Sequence, residues 1–569
     1  MVHTQTHMPA ASPFGATDCF PLLATLLLAI AIADRAALAQ PPTDSELEAK
    51  PNPPLSTQPA NTTQDNTNPQ DNTNSQDSPN PQDNPNPQDN TGTSETDNFL
   101  RAMQEKSLQV AQRVSRSVVA IARVRRDADP RAETLRFQFG PGVRFNELDR
   151  PTDPDFVPTD YATGIVIDNE GHIVTCFSEL SDPRNSDYYV WSNKEPRTAE
   201  PTWVPAEVQA GDPFSDLAVL KVQESIDLVP IEINIQHEIK KGELVFAMGN
   251  PYASARDGSA SMAWGIVANV DRSIAGAPGE TSSLQEKQTL HHFGGLLQID
   301  AKLSNGFNGG PILNLDGTLI GMILPNAFVP SVAYHGGFAI PIDEMFLRAV
   351  EALKRGKIPE FGFLGIVPEE IPASRRENGI RGAYVSRVVP GLPGDLAGLR
   401  PDDIIMAVNG APVFDRNSLF FALSRHGAEE QVELSVRRYS NFGGFPENIQ
   451  LQGQLSKKYV ASKIPAYSIH PPPSWRGLAV EYATALPTEM LRFMSRSLPT
   501  PPKLAALQVE PNTPAWQAGM RPGQLILSVQ GEIVSTPTQF IERVNSFDGQ
   551  SIEITVIDAA DTLRKLHIP

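Results

Sequence analysis

Side chains able to do chemistry are few in this chain, and their spacing excludes several reaction types. Ten histidines and two cysteines are scattered. No HExxH or comparable ligand spacing occurs, so the sequence calls for no metal and no cofactor. The serine turns G-x-S-x-G and G-N-S-G-G are absent, as is T-x-x-H-V. What is present is a glycine-rich turn, Gly306-Phe307-Asn308-Gly309-Gly310-Pro311, with Asn308 at its centre. A carboxamide is a neutral donor and acceptor with a delocalised lone pair, and forms no acyl-enzyme. Ser178, in Cys176-Phe177-Ser178-Glu179, has a hydroxyl far too weakly basic to take a proton at neutral pH. Asp216, in SDLAVL, is a carboxylate at the head of an apolar run. Ser304 and Cys176 read as loop and packing residues. His172 beside a hairpin turn reads as solvated, His291 and His292 as turn or surface residues, and His335 as a loop residue.

The elements that must position these groups are strands. After FLRAMQEKSLQVAQRVSRS, which places Leu100, Met103, Leu108, Val110 and Val114 at roughly helical intervals, come SVVAIARV, ATGIVI, HIVTCF, SDLAVLKV, ELVFAMGNP, MAWGIVANV, GGPILNL, TLIGMIL and GGFAIPI. Short strands separated by turns such as Asp168-Asn169-Glu170-Gly171 predict an all-β barrel or sandwich. A helix, MFLRAVEALKRG, closes this region at Gly356. The last third repeats itself: Pro390, Gly398, Pro401 and Gly410 recur as Pro511, Gly519, Pro522 and Gly531, each pair 121 residues apart. A fixed offset of this kind marks a duplication. Each copy predicts strand, short Gly-capped helix, strand, Asn-Gly or Gln-Gly turn, helix (Asn417 to His426; Thr538 to Asn545) and strand (VELSVRR; IEITVID).

At about 150 residues per domain, 569 residues allow three or four domains. A net charge of −19 disfavours nucleic acid and anionic lipid as partners. Phe20 to Ala33 is an apolar run too short to span a bilayer, followed by Ala37-Leu38-Ala39, which predicts a signal peptide over 1–39, or else a retained anchor. Its removal takes Cys19 and leaves Cys176 without a disulfide partner. Residues 40–97 repeat Asn, Pro, Gln and Asp every six residues and predict a disordered tether.

In this order, the motifs TGIVID, GHIVT, SDLAVLKV, AMGNP, IDAKL, GGPILN and GFAIPID, followed by VVPGLPGDLAGLRPDDIIMAVNG and VEPNTPAWQAGMRPGQLILSVQG, resemble the HtrA/DegP family of exported trypsin-like serine proteases. The resemblance covers about residues 100–569. It implies a trypsin-like double β-barrel (98–357) and two α+β PDZ domains (358–455 and 456–569), with SIHPPPSW at the start of the second as a stiff linker. In the family the hairpin reads G-x-I-V-T-N-x-H-V and the nucleophile turn G-N-S-G-G. The resemblance therefore puts Ser178 at the base position and Asn308 at the nucleophile position, and keeps Asp216. Loss of both groups leaves at most the residual catalysis of an oxyanion hole, here the N–H groups of Gly306 and Asn308, roughly 10³ to 10⁴ over water. Ser178 Oγ is expected to donate to Asp216.

PDZ domains add a peptide as an extra strand and capture its C-terminal carboxylate. The resemblance places the capture loops at Phe363-Leu364-Gly365-Ile366 and, less closely matched, at Arg476-Gly477-Leu478-Ala479-Val480. The expected protein is an exported, periplasmic or secreted pseudoprotease of protein quality control. It would hold unfolded or C-terminally exposed polypeptides, or regulate an active HtrA-type protease, and could form homo-oligomers. The alternatives are an active HtrA-type endopeptidase and an envelope scaffold.

Overall fold

The computed structural model describes residues 95–126, 160–192, 202–223, 228–250, 259–274, 289–324, 337–373, 379–439, 445–462, 464–487, 502–547, 549–558 and 562–569. The expected signal, nearly all of the tether, and His335 lie outside them. Among the described residues no helix is long and apolar enough to cross a membrane.

Helix α1 (Glu95–Val114) opens the ordered part. Its buried stripe is Val110 and Val114, whereas Leu100 and Leu108, expected on the same face, point to solvent. Six antiparallel strands follow, with one helical turn, α2 (Phe177–Leu180), after the third: β1 (Val118–Arg125), β2 (Asp160–Val166), β3 (His172–Cys176), β4 (Ser186–Ser192), β5 (Thr202–Asp212) and β6 (Leu217–Val222). They close in the order β5-β4-β1-β2-β3-β6, with β6 returning to β5. A second set, β7 (Leu244–Gly249), β8 (Ser261–Arg272), β9 (Leu296–Ile299), β10 (Pro311–Leu313), β11 (Leu319–Ile323) and β12 (Gly337–Pro341), closes a second barrel.

The unbroken apolar runs in these strands have a physical reason. Successive side chains face opposite sides of a strand, and here both sides are dry. Ile121, Ile173 and Leu220 fill the first barrel, and Val245, Ala247 and Ile312 fill the second. Their neighbours Val174, Val219, Phe246, Met248 and Leu313 meet in a shared seam between the barrels. Val110 and Val114 of α1 and Phe346 and Leu353 of α3 (Glu344–Lys354) pack on that seam. Asp343 caps α3 by accepting the Phe346 N–H at 2.9 Å.

The first repeat contains β13 (Gly362–Phe363), β14 (Ile366–Glu369), β15 (Ala383–Val388), α4 (Pro393–Leu396), β16 (Ile404–Val408), β17 (Ala411–Pro412), α5 (Arg416–Ser424), β18 (Gln431–Arg438) and β19 (Glu447–Gln454). Its sheet runs β14-β15-β16-β18-β19, which leaves β14 on an edge. Two short strands, β20 (Ser456–Lys457) and β21 (Tyr467–Ser468), lead to the second repeat. That repeat comprises β22 (Ser474–Trp475), β23 (Leu478–Tyr482), β24 (Leu504–Val509), α6 (Pro514–Gln517), β25 (Leu525–Val529), β26 (Glu532–Ile533), α7 (Pro537–Asn545), β27 (Ile552–Ile557) and β28 (Leu563–Ile568). Positive φ at Asn409 and Gly410, and at Gln530 and Gly531, confirms that the repeated dipeptides make the same turn.

The segment expected to be a stiff linker is instead docked. Tyr467 and Ser468 add a strand to β5 opposite Gly211 and Ala210, and Ser468 Oγ donates to the Gly356 carbonyl at 2.5 Å. Ser474 and Trp475 form β22. The prolines occupy only residues 471–473, so the residues on either side keep the backbone N–H groups that strand pairing needs.

The two repeats solve one turn with different chemistry. Asp403 is buried, accepts the Arg400 N–H at 2.8 Å and takes two bonds from Arg438, at 2.8 and 2.7 Å. At the equivalent place, 121 residues on, Gln524 accepts the Arg521 N–H at 2.8 Å without an ionic partner. Asp403→Ala is expected to destabilise the first repeat by about 3 kcal/mol, because it strands a largely covered guanidinium. Gln524→Ala is expected to cost about 1 kcal/mol. Urea unfolding of the two variants checks the order.

Candidate functional site

The loop from β5 to β6 is shaped by Asp212. Its buried Oδ2 accepts the Ser215 N–H at 2.8 Å and the Ser215 hydroxyl at 2.6 Å. That turn presents Asp216 with φ near 57° at the seam between the barrels. Asp216 Oδ1 accepts the Ser178 N–H at 2.7 Å and Oδ2 accepts the Ser178 hydroxyl at 3.0 Å, the bond the sequence leads one to expect. The Asp216 carbonyl also receives the Phe177 N–H at 2.9 Å. Ser178 lies on a single helical turn, Phe177–Leu180, immediately after β3.

Asn308 approaches from the other barrel. It is 7% exposed, and its Nδ2 donates to Glu179 Oε1 at 2.9 Å. Gly306 and Asn308 lie in and just after one 3-10 turn, Asn305–Phe307. Thr163 on β2 grips both: its hydroxyl donates to the Gly306 carbonyl at 2.6 Å and its N–H to the Asn308 carbonyl at 2.9 Å. The two glycines that follow are required by closeness. A Cβ on Gly309 would overlap Thr175 Oγ1 and the Thr163 carbonyl, and one on Gly310 the Met248 carbonyl.

The cleft side chains therefore form two separate pairs, Ser178 with Asp216 and Asn308 with Glu179. Burial raises the Asp216 carboxyl to about 7, with the two Ser178 bonds opposing the shift and the charges of Glu179 and Asp212 reinforcing it. Burial also pushes Glu179 above the usual carboxylate range, partly offset by the Asn308 bond. Sequence reasoning missed Glu179 and Thr163. The signal for Glu179 was an acid where the family hairpin ends in an apolar valine. Thr163 carried no comparable signal, being one more small residue in a strand.

Other candidates fall outside the pairs. Cys176 is buried, donates to the Ile323 carbonyl at 3.3 Å, and has its thiol pushed well above the ordinary range by burial. Ser304 precedes the 3-10 turn, where its carbonyl accepts the Phe307 N–H. His172 is not solvated as expected: it is 4% exposed and Nδ1 pairs with Asp168 at 2.8 Å. The hairpin folds it against Asp168, which also meets Lys354 at 2.9 Å. His291 sits in a turn, as expected, but is buried rather than on the surface. Burial lowers its imidazole to about 4, and Nε2–H donates to the Ser215 carbonyl at 2.9 Å. His172 and His291 are thus both engaged elsewhere, with Asp168 and with the Ser215 carbonyl.

In the first repeat, Gly365 with φ near 74° turns the capture loop into the exposed edge β14. Leu364 and Ile366 face Leu419 and Leu423 of α5 across an apolar groove. In the second repeat the edge is partly filled. Ser474 and Trp475 pair with Ala479 and Leu478 through a tight turn at Arg476 and Gly477, and the Trp475 ring meets Phe540 edge-on at 6.4 Å. Gly477, Leu478, Ala479 and Val480 are thus brought together, but the first two strand residues already have a partner within the chain.

Because the Asp216 carboxyl is raised from an ordinary 3.8 to about 7, its contribution to folding is lost as pH rises through that window. Asp216→Asn keeps an acceptor for Ser178 and removes the charge. It is expected to raise Tm by about 3 °C at pH 8 and by less at pH 5, read by thermal denaturation at both.

The family described as a trypsin-like peptidase domain matches residues 162–322, and the PDZ domain family matches 384–438 and 506–558. The chain is 28% identical over 418 residues to a protein of Chlamydia muridarum named "Probable periplasmic serine endoprotease DegP-like", spanning 72% of this chain and 74% of that one. A protein of Hahella chejuensis with the same name is 28% identical, spanning 69% and 77%. Among solved structures, the HtrA-type protease AlgW with tripeptide aligns at a TM-score of 0.43 and 18% identity, covering 64% of this chain and 98% of that one. Double barrel, seam and repeated C-terminal sheets thus join with sequence similarity to one conclusion: the chain carries a trypsin-like peptidase domain and two PDZ domains, and over about 70% of its length it is similar to the DegP-like serine endoproteases.

Proposed function

We propose that this chain is an exported, catalytically inactive member of that group, which holds unfolded or C-terminally exposed polypeptide in its cleft and its first PDZ groove. The observation that carries the reading is the pairing in the cleft. An acyl transfer needs a nucleophile whose proton a neighbouring base accepts. Here the side chain at the nucleophile position is an amide donating to Glu179, and the residue at the base position is a hydroxyl donating to Asp216. The first pair holds no nucleophile, and the Ser178 hydroxyl, although it faces a carboxylate, belongs to the barrel opposite the glycine turn of Gly306 and Asn308 that would hold a substrate carbonyl. Gly306 and Asn308, in a turn anchored by Thr163, are the candidates for gripping a substrate carbonyl without cutting. Periplasmic location is inferred from the names of the relatives. Regulation of an active HtrA-type protease is compatible with the same surfaces.

The second reading, an active serine endopeptidase, is favoured by the names of the relatives and by the intact Asp216. Fluorophosphonate labelling of the full chain separates the two. The wild type is expected to take no label. A variant carrying Asn308→Ser, Ser178→His and Glu179→Val is expected to gain it, since Glu179 would otherwise hold the new hydroxyl. Labelling of the wild type that disappears on Ser178→Ala would establish the enzyme instead.

A further inference from the structure

The two repeats touch through a small set of polar contacts. The Thr484 hydroxyl donates to the Lys457 carbonyl at 2.7 Å, and Lys457 Nζ meets Glu481 at 2.7 Å. Ser456 Oγ lies 2.6 Å from Thr484 Oγ1. Because the threonine proton is already committed, Ser456 is the donor of that pair and its own oxygen keeps acceptor capacity. Beside these contacts opens a cleft of about 180 Å³. The first repeat contributes Leu392, Pro393 and Leu396 to its lining and the second contributes Ala483 and Pro502, while Glu429, Gln454 and Ser456 supply polar groups. It shares no lining residue with the groove between β14 and α5.

The duplication shows which of these residues the PDZ fold itself does not require. Leu396 is 63% exposed, and 121 residues on the second repeat carries Gln517; Leu392 likewise becomes Thr513. Glu429 has φ near 65°, in the left-handed region that favours glycine, and the corresponding turn before β27 holds Gly549 with φ near 75°. The Glu429 N–H donates to the Leu455 carbonyl at 2.9 Å, which holds the residue in that conformation. A carboxylate kept where glycine is less strained points to a use for the carboxylate. Its Oε2 accepts Gln454 Nε2 at 3.0 Å, and since both partners line the cleft, the carboxylate lies at the cleft surface. Among the described residues it has no ion pair. Burial raises Glu429 above the usual carboxylate range, with the charge of Lys503 opposing the shift and that of Glu360 adding to it.

We propose that the cleft between the repeats is a binding site for a primary ammonium on a short apolar chain, its nitrogen at Glu429 and its chain against Leu392 and Leu396. A partly desolvated carboxylate without a counter-ion gains most from a cation that arrives with its own apolar body. With Oε2 committed to Gln454, a planar guanidinium fork lacks its second acceptor, whereas a compact ammonium needs only Oε1 and the Ser456 oxygen. The volume suits a chain of about five carbons, since a cavity of roughly 150 Å³ takes up benzene. Lys503 also lines the cleft, but it is exposed and outside ion-pair distance of Glu429, so its flexible stem can turn to solvent. A bound ligand would touch both repeats and fix their mutual orientation. The site stands apart from peptide holding in the first groove. The same ammonium chemistry is offered by a free alkylamine and by the lysine side chain of a polypeptide.

The test titrates the full chain with pentylammonium, with neutral 1-pentanol and with Nα-acetyl-lysine amide, read by saturation-transfer NMR. The wild type is expected to bind pentylammonium about tenfold or more tightly than 1-pentanol. Glu429→Gly supplies the residue that the second repeat uses, so it should melt no lower than the wild type and lose that preference. Glu429→Gln, neutral and of the same shape, should lose it as well. Leu396→Gln should weaken both ligands. Binding of Nα-acetyl-lysine amide beside pentylammonium supports the site and assigns a polypeptide lysine, whereas its exclusion supports the site and assigns a free amine. A wild type that binds neither pentylammonium nor pentanol, or does not distinguish them, overturns the proposal. So does a preference that persists in both Glu429 variants.

Discussion

Burying the Asp216 carboxyl where two barrels meet carries a free-energy cost that only fixed donors offset. In this chain the donors are the backbone and hydroxyl of one serine. The bond to Ser178 fixes the helical turn after β3, that turn points Glu179 across the seam, and Glu179 in turn accepts from Asn308 on the second barrel. Each barrel therefore contributes one half of a polar cluster whose members satisfy one another. The side chain that the glycine turn presents in this cluster is an amide, which does not attack a carbonyl. The arrangement turns the meeting line of the barrels into a polar joint.

The joint continues into the first PDZ domain through aromatic packing. Phe214, two residues before Asp216, meets Phe361 edge-on at 4.7 Å, and Phe293 lies 5.1 Å from Phe420 of α5. Phe214, Phe293 and Phe420 flank the ammonium of Lys458, and Phe420 also lines the first PDZ groove, so that groove and the Asp216 loop share one wall. The second PDZ domain is organised differently. Trp475 and Arg476 close its capture turn, with the guanidinium 4.5 Å from the ring centroid and donating to the Ile568 carbonyl at 2.9 Å. The duplication preserved the sheet and its turns while the grooves diverged, because core positions are fixed by packing and groove positions are not.

Much of the fold was legible in the sequence. The 121-residue echo, the glycines at the helix caps and the continuous apolar strands each follow from backbone demands that few residues meet. That Ser178 meets Asp216 was legible as well, because the strands around them have recognisable motifs. What escaped depended on contacts between segments distant in the chain. The burial of His172 and His291 is set by partners at Asp168 and in the Ser215 loop, and the docking of Tyr467 and Ser468 by a barrel edge more than 250 residues upstream. Leu100 and Leu108 show the converse: helical spacing marks a possible face, and only the neighbouring barrel decides which part of it is covered.

The central claim is that polypeptide is held in this cleft and left intact. Its most direct measurement is to incubate the full chain with reduced, unfolded casein, isolate the complex by size exclusion, and determine the intact mass of the recovered casein. The account predicts casein that co-elutes with the chain at its full mass after prolonged incubation. Fragments that accumulate with the wild type and vanish with Ser178→Ala would contradict it.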